Sequence, residues 1–182
     1  TFKALELNGK VLTLGSASTD LKVLDTLTLS SNTLKTGDAD LTLAVTLNTN
    51  SLIDSTGGTL KISGTVDNSS EIAMPGTELA LIGDLAIAGT MTTGANTTIN
   101  RNNNELDLSS TLIKLGGGLN LAGSVTDNAT RLILQTDASL ENTSPTGIGS
   151  LDLNGYALTT SMGLTINEAL TLDASGEKLL TG

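Results

Sequence analysis

The side chains of this sequence that could do chemistry are carboxylates, a few cations and many hydroxyls. Lys61, Asp67 and Glu71 lie close together in the chain, and Arg101 and Glu105 form a second such group. Hydrolysis of a glycoside needs two carboxylates held at a set distance across the sugar, and a lyase usually adds a basic residue nearby. No Trp is present to stack on a sugar, and Tyr156 and Phe2 stand alone, so the enzyme reading finds little support. Asp20, Asp25, Asp38, Asp40, Asp54, Asp67 and Asp84 raise calcium as a second chemistry. Calcium-binding β-rolls repeat a Gly-Gly-x-Gly-x-Asp unit, whereas Gly116-Gly117-Gly118 is followed by no such Asp. Carboxylates scattered for solubility explain these residues more simply, leaving Asp38 and Asp40, which flank one turn, as the one candidate for a weak ion site.

Hydroxyls offer a third chemistry. Thr26, Thr28, Thr42, Thr46, Thr59, Thr65, Thr90 and Thr92 are expected to face outward, and a regular Thr ladder on a flat face can bind ice. The spacing shows no strict Thr-x-Thr or Thr-x-Asn register, and Thr is favoured on the outer side of any strand. Asn68, Asn96, Asn128 and Asn142 each head an Asn-x-Ser/Thr triplet, the acceptor pattern for glycosylation. With 30 Thr and 17 Ser in 182 residues, chance supplies such triplets.

What is absent limits function more sharply. With no His and no Cys there is no Ser-His-Asp or Cys-His nucleophile, no soft metal ligand and no thiolate chemistry. No cofactor is expected. A formal charge of −10 with 1% aromatics provides neither the basic track nor the stacking platforms that nucleic acids need. No apolar run reaches the length of a membrane-spanning helix, and no basic stretch followed by an apolar one opens the chain. Abundant Thr, Ser, Asn and Gly could suggest disorder, but 38% hydrophobic residues, nearly all aliphatic and regularly spaced, can bury a core.

Those aliphatics alternate: Leu27-x-Leu29, Leu41-x-Leu43, Leu60-x-Ile62, Leu85-x-Ile87, Leu106-x-Leu108, Leu132-x-Leu134 and others like them. Period two predicts strands, and no window sustains a helical period. Blocks of sequence also recur. Leu5-Glu-Leu7-Asn8-Gly9-Lys-Val-Leu12-Thr13 returns as Leu151-Asp-Leu153-Asn154-Gly155-Tyr-Ala-Leu158-Thr159. Gly58-Thr-Leu60-Lys-Ile62-Ser-Gly64-Thr-Val66 returns as Gly83-Asp-Leu85-Ala-Ile87-Ala-Gly89-Thr-Met91 and as Gly117-Gly-Leu119-Asn-Leu121-Ala-Gly123-Ser-Val125. A repeat of about 20 residues holding short strands predicts an all-β chain folded as a right-handed parallel β-helix, a β-solenoid. A single solenoid over 1–182 of about nine coils makes a rod of roughly 40 Å, with coils about 4.8 Å apart. Leu7, Leu29, Leu47, Leu60, Ile87, Leu108, Leu121, Leu153 and Leu172 are expected to point inward. Loop insertions are expected near 101–105 and 137–150, the second containing Pro145. An immunoglobulin-like sandwich is the competing fold, but it gives no reason for the repeat and normally wants a core aromatic.

These blocks resemble the degenerate repeats of β-helices in bacterial secreted surface proteins, namely autotransporter passengers and filamentous-haemagglutinin-like adhesins. The resemblance extends over residues 5–172 and lies in the style of the repeat. It implies an extracellular, elongated, non-enzymatic stalk or adhesive segment at the cell surface, and it carries over no catalytic residue. Ice or glycan recognition by the Thr-rich face is the alternative.

A last expectation concerns partners. Thr1 to Leu14 already reads as repeat with Phe2 as its one plug, and Leu170-Thr-Leu172 and Leu179-Leu180 still read as coil. Uncapped coils present open edges, so the chain is expected to be a segment of a longer or processed protein, or to stack end to end on copies of itself. Other cell-surface or matrix components are the remaining expected partners.

Overall fold

Alternation puts one apolar and one polar row on every strand, and a strand with one apolar row needs a partner surface to bury it. The computed structural model describes residues 10–14, 21–22, 26–94, 97–121, 124–142, 146–172 and 177–181, and it meets that need by coiling. In chain order the strands are β1 (Val11–Thr13), β2 (Leu21–Lys22), β3 (Leu27–Ser30), β4 (Thr33–Gly37), β5 (Leu41–Asn48), β6 (Leu52–Ser55) and β7 (Thr59–Val66). They continue as β8 (Glu71–Met74), β9 (Glu78–Ile87), β10 (Thr90–Thr93), β11 (Thr98–Asn100), β12 (Leu106–Asp107), β13 (Leu112–Leu115) and β14 (Gly118–Asn120). The last are β15 (Ser124–Val125), β16 (Arg131–Leu134), β17 (Ala138–Glu141), β18 (Thr146–Asp152), β19 (Ala157–Thr160), β20 (Leu164–Thr171) and β21 (Lys178–Thr181).

The strands stack in parallel as a β-solenoid of about 8 turns, with equivalent residues roughly 19 apart. Parallel ladders exclude the antiparallel sandwich. One face is a sheet of nine strands in the order β1-β4-β6-β8-β10-β13-β16-β18-β20. Its central row runs Leu12, Leu34, Ile53, Ile72, Met91, Ile113, Leu132, Leu151, Leu170, each beside the next in register. A second face carries β3, the later halves of β5, β7 and β9, then β12 and β15. The third carries β2, the earlier halves of β5, β7 and β9, and β11. A four-stranded sheet, β14-β17-β19-β21, follows. β11 and β14 come near each other but are not hydrogen-bonded as neighbours.

Aliphatic rows from the faces meet in one core that runs from Leu27 to Leu158. Leu, Ile, Val and Met fill a narrow tube without leaving a ring edge to accommodate, which is why the core does without aromatics. Corners are polar inside as well as out. Ser51, Ser70, Thr111 and Thr130 are buried at one corner, each one residue before a strand of the nine-stranded face. The Ser51 hydroxyl donates to Asn48 O at 2.6 Å, the Thr130 hydroxyl to Leu108 O at 2.9 Å, and the Thr111 hydroxyl to Ile87 O. These bonds satisfy carbonyls that the ladder leaves behind where the chain turns.

Of the residues expected inside, Leu29, Leu47, Leu60, Ile87, Leu108, Leu121 and Leu153 are buried. Leu7 lies outside the described residues. Leu172 is 60% exposed, contrary to expectation, because it follows β20 in the last rung and no described coil covers it. The second expected insertion also needs correcting. Within 137–150, β17 pairs with β14 and β19, and β18 pairs with β16 and β20, so these strands are rungs of the solenoid. Pro145 itself lies outside the described residues. The Arg101–Glu105 segment is a turn between β11 and β12, with Asn102 and Asn103 exposed in the left-handed region.

Candidate functional site

A parallel coil must turn a corner after each face, and there the strand ladder lapses, freeing backbone N–H groups. Asp residues sit at these corners. Asp40 Oδ1 accepts Thr59 N–H at 2.8 Å, Asp84 Oδ1 accepts Glu105 N–H at 2.9 Å, and Asp137 Oδ1 accepts Ala157 N–H at 2.8 Å. Each bond reaches the following coil. Asp67 reaches the preceding one, its Oδ2 accepting Thr49 N–H at 2.7 Å while Oδ1 takes Ser69 N–H and Oγ–H, both at 3.0 Å. The Thr49 amide above all, then the Ser70 hydroxyl, holds the Asp67 carboxyl at about 2. Asp107, Asp127 and Asp152 likewise accept the N–H two residues on, from Ser109, Ala129 and Asn154, at 2.8–2.9 Å.

Of these, Asp40, Asp67 and Asp84 are among the carboxylates weighed from the sequence as ligands or catalysts, against the simpler reading of charges scattered for solubility. Asp67, Asp107, Asp127 and Asp152 make Asx-turns, each accepting the N–H two residues on, whereas Asp40, Asp84 and Asp137 satisfy an amide of the next coil.

The suspected catalytic group does not assemble. Lys61 lies on the third face, exposed, between Thr42 and Ala80 in register. Asp67 occupies the corner beyond the second face. Glu71 is on the nine-stranded face, where it accepts the Thr92 hydroxyl at 2.6 Å and stands 3.9 Å from Lys114 Nζ. Arg101 and Glu105 bound the turn after β11. Asp54 pairs with Lys35 at 3.8 Å. Asp38 packs against the bend at Gly57 and Gly58, where an added Cβ on Gly57 would meet its carboxylate at 2.4 Å. Asp20 and Asp25 lie outside the described residues. Among the described residues no three His, Cys, Asp or Glu side chains are grouped to hold a metal ion.

The Thr positions separate in the same way. Thr28, Thr46 and Thr65 form one row on the second face, and Ala86 and Asp107 continue it. Thr90 lies between Glu71 and Leu112, and Thr92 between Ala73 and Lys114. Thr59 adjoins Glu78, and Thr42 adjoins Lys61. Thr26 is exposed just before β3. Three rungs of Thr therefore stand in register, far short of a two-dimensional lattice. Among the glycosylation triplets, Asn68 and Asn128 are exposed and Asn96 lies outside the described residues. Asn142 is only 5% exposed; its Oδ1 accepts Ser161 Oγ–H and Met162 N–H, and its amide nitrogen donates to Thr146 Oγ1 at 3.3 Å.

Among the described residues one concavity lies at the break in the third face, and another lies between Gly117–Gly118 and Thr136–Ser139. A cleft of 220 Å³ between β11 and β14 is lined by Thr98, Ile99, Leu119, Asn120 and Glu141 among others, and the Asn102–Asn103 turn borders a second hollow beside it. Neither brings an acid and a base together. No family model, curated protein or solved structure matches this chain.

Proposed function

We propose that the chain is a non-enzymatic structural or adhesive element, a stiff rod displayed outside the cell, whose partners are copies of itself or other surface and matrix components. The observation that carries this reading is the use of the corner carboxylates. Asp40, Asp67, Asp84 and Asp137 are bonded to backbone amides of neighbouring coils, which ties them to holding the coil. Cations follow the same pattern, with Lys35 paired to Asp54 on the adjacent rung and Lys114 to Glu71 two rungs away. The outer faces are sheets of short polar side chains around an aliphatic core, a form suited to carrying load and presenting surface. No helix among the described residues is long and apolar enough to cross a membrane.

Labelling of intact source cells with an antibody to the chain tests the location, and a polysaccharide-degradation screen tests the absence of turnover. Any turnover abolished by Asp67→Ala or Glu71→Gln, with the fold retained, defeats the reading. The in-register row Thr28, Thr46, Thr65 favours a second reading, recognition of ice or a glycan by the second face. An ice-recrystallisation assay and a glycan array decide between the two, since a hit lost in Thr46→Lys selects the second.

A further inference from the structure

The cleft on the third face lies within the stack, between β11, which pairs back to β9, and β14, which pairs on to β17. In a parallel ladder the peptide groups of successive residues point to opposite neighbours. Thr98 N–H donates back to Thr77 O at 3.3 Å, so the N–H and C=O of Ile99 point the other way, into the cleft. On the facing wall Ser139 N–H donates to Gly117 O at 3.3 Å and Leu121 N–H to Glu141 O at 2.6 Å. Gly117, Leu119 and Leu121 thus turn toward β17, and Gly118 aims its own peptide groups at the cleft. Among the described residues no ladder joins β11 to β14, so both walls carry backbone donors and acceptors that a bound molecule can take.

The side chains around them suit a molecule that is polar at its rim and apolar on its face. Ile99 is half-buried, whereas Leu41, Leu60 and Leu79 of the same row are fully buried, so the break uncovers an aliphatic patch. Thr98, Asn100, Asn120 and Ser139 are exposed on the walls, and each can both donate and accept. The hollow beside the Asn102–Asn103 turn shares Ile99 and Asn120 with the cleft, and the hollow at Thr136–Ser139 shares Gly118 and Ser139 with it. Together the three form one groove that runs along the strands.

We propose that this groove binds a neutral oligosaccharide. Sugar hydroxyls donate and accept, as the walls do, and the C–H face of a ring rests on Ile99. An extended peptide does not fit, because residues of β11 and β14 lie within 8 Å of each other, Cα to Cα. A strand between them would need about 9.6 Å. Charge disfavours an acidic polysaccharide, since the groove sets Arg101 against both Asp137 and Glu141 on a chain of net charge −10. No aromatic ring lines the groove, so the affinity is weak, in the millimolar range. This inference rests on the adhesive side of the reading above and names the chemistry of its partner.

Amide chemical shifts of the isotope-labelled chain test it, with maltotriose, cellotriose and triacetylchitotriose as probes at millimolar concentration. At least one of the three is expected to shift the amides of Ile99, Gly118 and Asn120 saturably, while trigalacturonate leaves them in place. Asn120→Ala lowers the association constant about fivefold. Ser139→Lys, which fills the cleft from an exposed position, abolishes binding with circular dichroism unchanged. No shift with any of the three sugars overturns the inference, and so does binding indifferent to both substitutions. Equal shifts with trigalacturonate, or groove shifts with an extended Thr-Val peptide alone, overturn it as well. Shifts confined to Thr28, Thr46 and Thr65 overturn it in favour of the second face. Absence of any shift, without polysaccharide turnover, leaves the structural reading standing; turnover lost in Glu71→Gln would overturn that reading whatever the groove binds.

Discussion

Asp67 holds Thr49 across a coil boundary, its carboxylate accepting the Thr49 amide at 2.7 Å from 18 residues further along the chain. Thr49 and Asn50 both adopt left-handed backbone, with φ of 51° and 57°, a conformation that costs non-glycine residues energy. The corner therefore stays closed through a bond from its neighbour. Because folding lowers the Asp67 pKa from 3.8 to about 2, the stabilisation is full above pH 3.8 and is lost as pH falls toward 2. Asp67→Ala should cost about 1–2 kcal/mol at pH 7. Urea melts should show its gap from the unaltered chain closing between those two pH values.

The central row gives a contrast within one chemistry. Ile72 is fully buried between Ile53 and Met91, so Ile72→Ala should cost about 2–5 kcal/mol in denaturant melts. Leu172→Ala, at a side chain 60% exposed, should change the stability of this chain by less than about 0.5 kcal/mol.

Gly64 marks the bend where β7 passes from the third face to the second. Its φ is +120°, and an added Cβ would lie 2.0 Å from the Val45 carbonyl oxygen. Gly64→Ala should therefore destabilise by at least the 1–3 kcal/mol of about one strained residue. Thermal melts should show a lowered midpoint or loss of the folded state.

Glu71→Gln keeps a carbonyl for the Thr92 hydroxyl and loses only a partly exposed ion pair to Lys114. Its stability should stay within about 1 kcal/mol of the unaltered chain. Reducing-sugar release from polysaccharides should be absent from both proteins.

Strand positions and coil length were legible in the sequence because an aliphatic pair such as Leu60-x-Ile62 recurs at each coil and must face inward. Coil boundaries were harder. Steps vary from 18 residues, as between Leu27 and Val45, to 22, as between Met91 and Ile113, and the corners absorb the difference. The segment around Pro145 read as an insertion because turn-forming residues outnumber aliphatics there, yet Leu140 and Ile148 are enough to keep β17 and β18 in the stack. Leu172 was misjudged because periodicity records which side of a strand a residue takes, not whether a described coil lies over it. The roles of Asp40, Asp67 and Asp84 were out of reach for a related reason. Their partners lie 18 to 21 residues away, and spacing alone does not reveal which amides a corner leaves unpaired.

The break between β11 and β14 gives the rod a direction in which it yields. The nine-stranded face is a continuous set of hydrogen-bonded rungs, so flexing that stretches that face must lengthen bonds that are already made. Flexing the other way, to open the cleft between Thr98–Asn100 and Gly118–Asn120, parts two strands that share no ladder. Flexural rigidity is thus unequal about the long axis, and the softest plane of curvature passes through the cleft with the nine-stranded face on the inside of the arc.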